Sequence, residues 1–264
     1  MSETWFCCRT RAGPLVKECR ALRPRLRSDD QARAASGKRE AQTRIRTAVN
    51  RSEVDRIELR FAAIGWDATQ YVLTFDDAHL PRNYDGVQKA LRGFIKAARR
   101  WRRRCGKPPD FDWLAVIEGK HGDRRWHIHL VADYYDLSPA EVELLWQGGL
   151  SPRDEDGEIG KPVLLDSSGF RRLAEYLHKE SKPLGKRAFS CSRSLDAKLT
   201  PPRRWEAASG AIRPARRAVC VSYIRDREPE QWSNGWGEWR KLSWLVPDGS
   251  PSCLRALERM GYNS

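Results

Sequence analysis

Two apolar runs, Trp113-Leu-Ala-Val-Ile-Glu118 and Trp126-His-Ile-His-Leu-Val-Ala132, stand only seven residues apart, on either side of Gly119 to Arg125. Each is rich in β-branched and aromatic residues and too short for a stable helix, so each reads as a strand. Strands joined this closely pair antiparallel, because a parallel partner needs a long crossover. With Gly122 and Asp123 at the centre of a type II′ turn, Glu118 falls opposite His127 and Val116 opposite His129. Alternate side chains of a strand share a face. His127 and His129 therefore point one way with Glu118, roughly 5 Å across the pair, while Trp126, Ile128 and Leu130 point into a core.

The sequence around this hairpin supplies the rest of a domain. Tyr71-Val-Leu-Thr-Phe75 reads as a strand, ended by Asp76-Asp77 and Pro81. Asp85 is the expected cap of the next helix, with Gln88 three residues on as its reciprocal partner. Val87, Leu91, Phe94, Ile95 and Ala98 form its apolar stripe, with Trp101 at the margin. The other face carries Lys89, Arg92, Lys96, Arg99, Arg100, Arg103 and Arg104. Ser138-Pro139-Ala140-Glu141 is a capping box with proline at the first helical position, opening a short helix through Trp146. Phe170 to about Glu180 reads as a helix and Phe189 to Leu195 as a last strand. This order predicts an α+β fold, a central antiparallel sheet with helices packed mainly on one face.

Residues 1–63 are expected to form a basic arm, helical or disordered, with helical stretches around Gln31–Val49 and Val54–Ala63. Residues 64–204 form the domain, and 205–264 a tryptophan-rich basic extension with a small strand-and-helix appendage. The chain has 264 residues with 49 Lys plus Arg against 35 Asp plus Glu, a formal charge of +14. That balance suits a polyanionic partner, most simply nucleic acid. No apolar run is long enough to span a membrane. The N-terminus lacks a signal-peptide stretch, so a cytoplasmic location is expected. Seven scattered cysteines fit neither a disulfide framework nor a zinc site.

Two imidazoles and one carboxylate, with coordination positions to spare, suit a divalent metal that must also accept a substrate oxygen, and Mg2+ or Mn2+ is the expectation for phosphate chemistry. A polar strand face would give the same His-x-His pattern. On the later helix, Tyr176 lies at the edge of a stripe formed by Phe170, Leu173, Ala174 and Leu177, and Lys179 sits one turn on, about 60° round the same flank. Arg172 shares that flank. His178 falls on the other side, about 160° away, and reads as a surface or packing residue. A phenol has an ordinary pKa near 10 and needs neighbouring positive charge to attack phosphorus. Taken alone, the pair also fits an amphipathic tyrosine beside a snorkelling lysine.

The ordered set, a strand Tyr71-Val-Leu-Thr-Phe75-Asp-Asp, then Glu118 and His127-Ile-His129, then Tyr176-Leu-His-Lys179, resembles the three motifs of the HUH endonucleases, and more narrowly the single-tyrosine rolling-circle replication initiators of phages and plasmids. The similarity covers roughly residues 66–205. It implies a ferredoxin- or RRM-like core, metal ligands His127, His129 and Glu118, a nucleophile Tyr176, and a lysine, Lys179, that positions phosphate or tunes the tyrosine. Arg172 stands four residues before Tyr176, where two-tyrosine enzymes place a second tyrosine, so one subunit has one nucleophile.

The resemblance further implies nicking and rejoining of single-stranded DNA at a replication origin. The intermediate is a 5′-phosphotyrosine, and the free 3′-OH primes synthesis, inside a bacterial cell that supplies helicase and polymerase in trans. No Gly-x-x-x-x-Gly-Lys-[Ser/Thr] P-loop is present. DNA contacts are expected from Arg99, Arg100, Arg102, Arg103, Arg104 and Arg172. The same site could serve a mobilisation relaxase or transposase. Two other readings remain open at this stage, a non-catalytic DNA-binding protein and a metal-dependent hydrolase using water.

Overall fold

The computed structural model describes residues 4–22, 52–119, 125–153, 157–179, 189–220, 229–234 and 237–262. Among them the fold is α+β, with two antiparallel sheets and six helices. The N-terminal hairpin is β1 (Trp5–Ala12) and β2 (Leu15–Leu22). Helix α1 covers 52–64. Then follow β3 (Ala68–Thr74), α2 (Tyr84–Arg104), β4 (Trp113–Glu118) and β5 (His127–Asp133). Next come α3 (Pro139–Leu145), β6 (Lys161–Pro162), α4 (Arg171–Lys179), β7 (Ser190–Cys191) and α5 (Arg193–Ala197). The C-terminal part adds β8 (Arg203–Ala207), β9 (Val219–Cys220), β10 (Glu230–Asn234), β11 (Gly237–Leu245) and α6 (Pro251–Arg259).

The central sheet has the order β6-β3-β5-β4-β7. Its β4–β5 register places Glu118 opposite His127 and Val116 opposite His129, as the sequence predicts; the turn itself lies outside the described residues. Because side chains alternate, Tyr71, Leu73, Ala115, Ile128 and Leu130 pack on the stripe of α2 and on α3. Leu114, Val116 and Val131 face the other way and pack on α1 and α4. Helices therefore cover both faces rather than mainly one. The expected strand after Phe189 is only two residues long, because Ser192 caps α5 by accepting from the amide of Leu195. Helix α2 starts earlier than its expected cap at Asp85. Asn83 is the cap, its side-chain oxygen accepting from the Gly86 amide, and Asp85 sits in the first turn where it complements the helix dipole.

The basic arm is the largest departure. Residues 5–22 are neither helix nor coil but a hairpin, turned at Gly13-Pro14. Gly13 has φ of +49°, and a Cβ there would lie 1.9 Å from the carbonyl oxygen of Ala62, so only glycine fits between β1 and α1. This hairpin joins β8 and the C-terminal strands in a second sheet, ordered β10-β11-β2-β1-β8 with β9 on β11. Ala12, Leu15 and Leu245 of that sheet bury against Val54, Ile57 and Phe61 of α1. The expected helix over 54–63 is present as α1, and the stretch Gln31–Val49 lies outside the described residues.

Charged residues of the arm are buried because they pair. The Lys17 ammonium lies 2.5 Å from both Asp55 and Glu58, Lys241 approaches Asp55 at 3.2 Å, and Arg171 at the start of α4 binds Asp55 and Glu58. Burial pushes the Asp55 carboxyl up, but Lys17, Lys241 and Arg171 outweigh it and hold it at about 2. A depressed carboxyl gives stability that is complete above its unfolded pKa, near 4, and lost as pH falls through its folded value. Melting temperatures measured from pH 5 towards pH 2 should thus fall more steeply for the native chain than for Asp55→Asn. The Asn variant should begin about 2 kcal/mol less stable at pH 7. Parallel curves would contradict this.

Candidate active site

The site is built where β4 ends and β5 begins. Glu118 ends β4 and is 3 % exposed, and His129 is 4 % exposed. One carboxylate oxygen, Oε2 of Glu118, lies 3.1 Å from Nε2 of both His127 and His129. The two imidazole rings meet edge to face with centroids 5.0 Å apart. Burial raises the Glu118 carboxyl, yet the hydrogen bonds from His127 and His129 dominate and keep it at about 2. It is an anion at any physiological pH.

Each ring is oriented from behind. The Gln70 amide donates to Nδ1 of His129 at 2.8 Å, and Nδ1 of His127 donates to the Arg125 carbonyl at 3.1 Å. Both Nε2 atoms are thereby aimed at Glu118. Both neighbours of His127, the Arg125 carbonyl and the Glu118 carboxylate, can only accept, so a neutral ring with its single proton satisfies one of them and leaves a lone pair facing the other. That juxtaposition requires a cation between them or a second proton on the ring. The other carboxylate oxygen, Oε1, is buried with no hydrogen-bond partner among the described residues. One nitrogen from each histidine and one oxygen of Glu118 lie within 4.8 Å of one another, so the group could hold a metal ion. An unsatisfied buried anion and two converging imidazoles fit a divalent cation in charge and donor type.

Tyr176 projects from α4, whose Ala174 and Leu177, with Phe170 just before it, bury against the same face of the sheet. Its ring meets that of His129 at right angles, centroids 6.0 Å apart, and the residue is 55 % exposed. The phenol and the imidazoles therefore share one side of the molecule, and the phenol is open to solvent. Lys179 closes α4, and its side chain lies outside the described residues. Arg172 is exposed and ion-paired with Asp166 at 2.7 Å. His178 turns away as expected, its Nε2 2.8 Å from Glu53.

The expected DNA-contacting arginines divide. Arg99, Arg100, Arg103 and Arg104 are exposed along α2, with Arg99 3.1 Å from Asp110. Arg102 does not belong with them. It is 3 % exposed, donates to the Pro108 carbonyl at 2.8 Å and to Asp136 at 3.0 Å, and lies over the Phe111 ring at 5.4 Å. It falls on the inner side of the helix, where its planar fork ties α2 to two loops. Arg102→Ala should cost about 3 kcal/mol by removing this network, read as a melting temperature lower by roughly 6–12 °C. Arg103→Ala should leave the melting temperature unchanged, and equal melting temperatures for the two variants would refute the distinction.

Two residues that the sequence did not single out support the site. Gln70 stands on β3 diagonally across from His129, and an amide directly before the run Tyr71-Val-Leu73 was its signal. Arg171 anchors the tyrosine helix, bonding Glu175 at 2.9 Å and Glu58 at 3.2 Å. No helix among the described residues is long and apolar enough to cross a membrane. No protein-family model, curated protein or solved structure matches the chain.

Proposed function

We propose that the protein is a DNA nicking and joining enzyme, a tyrosine transesterase that initiates rolling-circle replication of a phage or plasmid in the bacterial cytoplasm. The observation that supports it most is the exposed phenol of Tyr176 standing beside the His129 ring, over a buried carboxylate that accepts from two imidazoles. An exposed phenol next to a group that could hold a cation is the pairing that attack on a phosphodiester needs.

Glu118, His127 and His129 would hold Mg2+ or Mn2+, which supplies polarisation of the scissile phosphate and stabilises charge on its oxygens. Tyr176 attacks phosphorus. The bond from its oxygen to phosphorus forms, the bond from phosphorus to the 3′ oxygen breaks, and the phenolic proton passes by way of solvent to that leaving oxygen. The product is a 5′-phosphotyrosine and a free 3′-OH. Because the phosphodiester is exchanged rather than hydrolysed, the reverse attack rejoins the strand. Arg99, Arg100, Arg103 and Arg104, on a chain of formal charge +14, bind the DNA backbone. A host helicase and polymerase act in trans.

The test is incubation of the full chain with labelled single-stranded origin DNA and Mn2+, followed by a denaturing gel and mass mapping of the linked peptide. A DNA-linked peptide containing Tyr176 is the expected result. Cleavage without a protein adduct would mean that water is the nucleophile, and absence of both on every strand tried would leave a DNA-binding protein without this chemistry.

A further inference from the structure

On the opposite face of the central sheet, α2 and the β4–β7 edge enclose a groove of about 400 Å³ lined by Gln88, Leu91, Arg92, Ile95, Lys96, Arg99, Trp113 and Ser190. Trp113 belongs to the core packed on α2, whereas Val116, two positions before Glu118 and on its face, packs on α1 and α4. The groove and the Glu118–His127–His129 group are therefore separated by the thickness of the sheet.

Its chemistry is graded. Leu91, Ile95 and the Trp113 indole make an apolar wall. The Gln88 amide and Ser190 hydroxyl supply both donors and acceptors. Arg92, Lys96 and Arg99 are exposed along the rim at helical positions i, i+4 and i+7, spanning about 10 Å of α2, which gives room for more than one phosphate. Beyond Arg99 the same helix continues with exposed Arg100, Arg103 and Arg104.

We propose that this groove is a second single-stranded DNA subsite, holding an unpaired nucleotide away from the scissile bond. The base lies against Leu91, Ile95 and Trp113, the Gln88 amide reads its edge as glutamine does with adenine, and the flanking phosphates rest on Arg92, Lys96 and Arg99. The inference rests on the reading of the protein as an enzyme of single-stranded DNA, and it assigns origin recognition to a face that takes no part in the chemistry.

The test measures binding of a fluorescein-labelled, adenine-containing single-stranded oligonucleotide to the full chain in EDTA, so that no cleavage step contributes. Replacing both Arg92 and Lys96 with Ala should lower affinity at least tenfold and reduce the slope of log affinity against log salt by about 1.4, near 0.7 per phosphate contact on a single strand. Trp113→Phe shortens the aromatic wall, and it should lower affinity several-fold in a chain that circular dichroism shows to be folded. The charge-matched pair Arg103→Ala and Arg104→Ala should lower affinity less. Equal losses from the two charge pairs, together with no effect of Trp113→Phe, would overturn the groove and leave only a basic surface. Absence of oligonucleotide binding by the native chain would overturn it as well. Adduct formation at Tyr176 is scored separately with Mn2+, so a groove that binds without any adduct would separate this inference from the proposed chemistry.

Discussion

Tyr176→Phe should abolish the denaturation-resistant protein–DNA adduct, a fall of at least about 1,000-fold, because in the proposed mechanism this residue supplies the nucleophile. The variant is mild in every other respect. The ring of residue 176 meets His129 edge to face and the residue is 55 % exposed, so a phenyl group keeps the ring contact and opens no cavity. Fold stability, Mn2+ affinity and oligonucleotide affinity should all stay within about twofold of the native chain, a change below 1 kcal/mol. That separation gives the measurement its force. An adduct surviving in Tyr176→Phe would remove the tyrosine from the mechanism outright. Cleavage that continues undiminished with no adduct in either protein would assign the attack to water.

How much of this was legible beforehand depends on what each residue's surroundings demand. The β4–β5 register follows from the two-residue period of a strand, since a slip by one position would turn Ile128 and Leu130 to the other face; both are fully buried. The approach of Tyr176 to His129 was reachable because Phe170, Ala174 and Leu177 fix which flank of α4 meets the sheet. Arg102 was misread because its charge argued for solvent while its helical phase put it inside. Its partners, Pro108 and Asp136, come from loops that periodicity does not address.

The N-terminal hairpin shows a harder limit. Lys17 and Glu18 sit in a strand and are 7 % and 0 % exposed, against the usual placement of charge. Lys17 is balanced by Asp55 and Glu58 of α1, and Glu18 by Arg9 and Arg20. A polar count over residues 1–60 therefore reads as a solvated arm. The Gly13-Pro14 pair was the local turn signal, but the strands it joins gain their partners and core from α1, β8 and β11, whose packed residues lie more than 30 residues away in sequence.

The same ion network ties the second sheet to the helix that carries Tyr176. Arg171 is the first residue of α4 and reaches Asp55 and Glu58, both of which also bind Lys17 of β2. The position of Tyr176 five residues on is thus fixed from two sides, by the apolar stripe against the central sheet and by this cluster against the second sheet. A rigid element is what a nucleophile requires if it is to meet phosphorus in line.

Glu118→Gln should have the second large effect, and it separates the cation from the fold. The carboxylate is the only anion in the group that could hold a metal ion, and its Oε2 lies 3.1 Å from both imidazoles. Loss of an outer-shell partner alone weakens metal sites about 10- to 100-fold, so removing a first-contact anion should lower Mn2+ affinity at least about 100-fold. Native protein with Mn2+ at a hundred times its dissociation constant should gain about 2.7 kcal/mol of stability by mass action, and Glu118→Gln should show almost none of that rise. The metal-free variant remains folded, since glutamine keeps the volume and an acceptor oxygen for an imidazole N–H, at a cost of about 1–3 kcal/mol for the lost charge-assisted bonds. Melting curves with and without Mn2+ on both proteins provide the comparison. An undiminished Mn2+ shift in Glu118→Gln would show that the ion binds elsewhere, and a native chain with no shift at any Mn2+ concentration would mean that His127 and His129 hold Glu118 by protons alone.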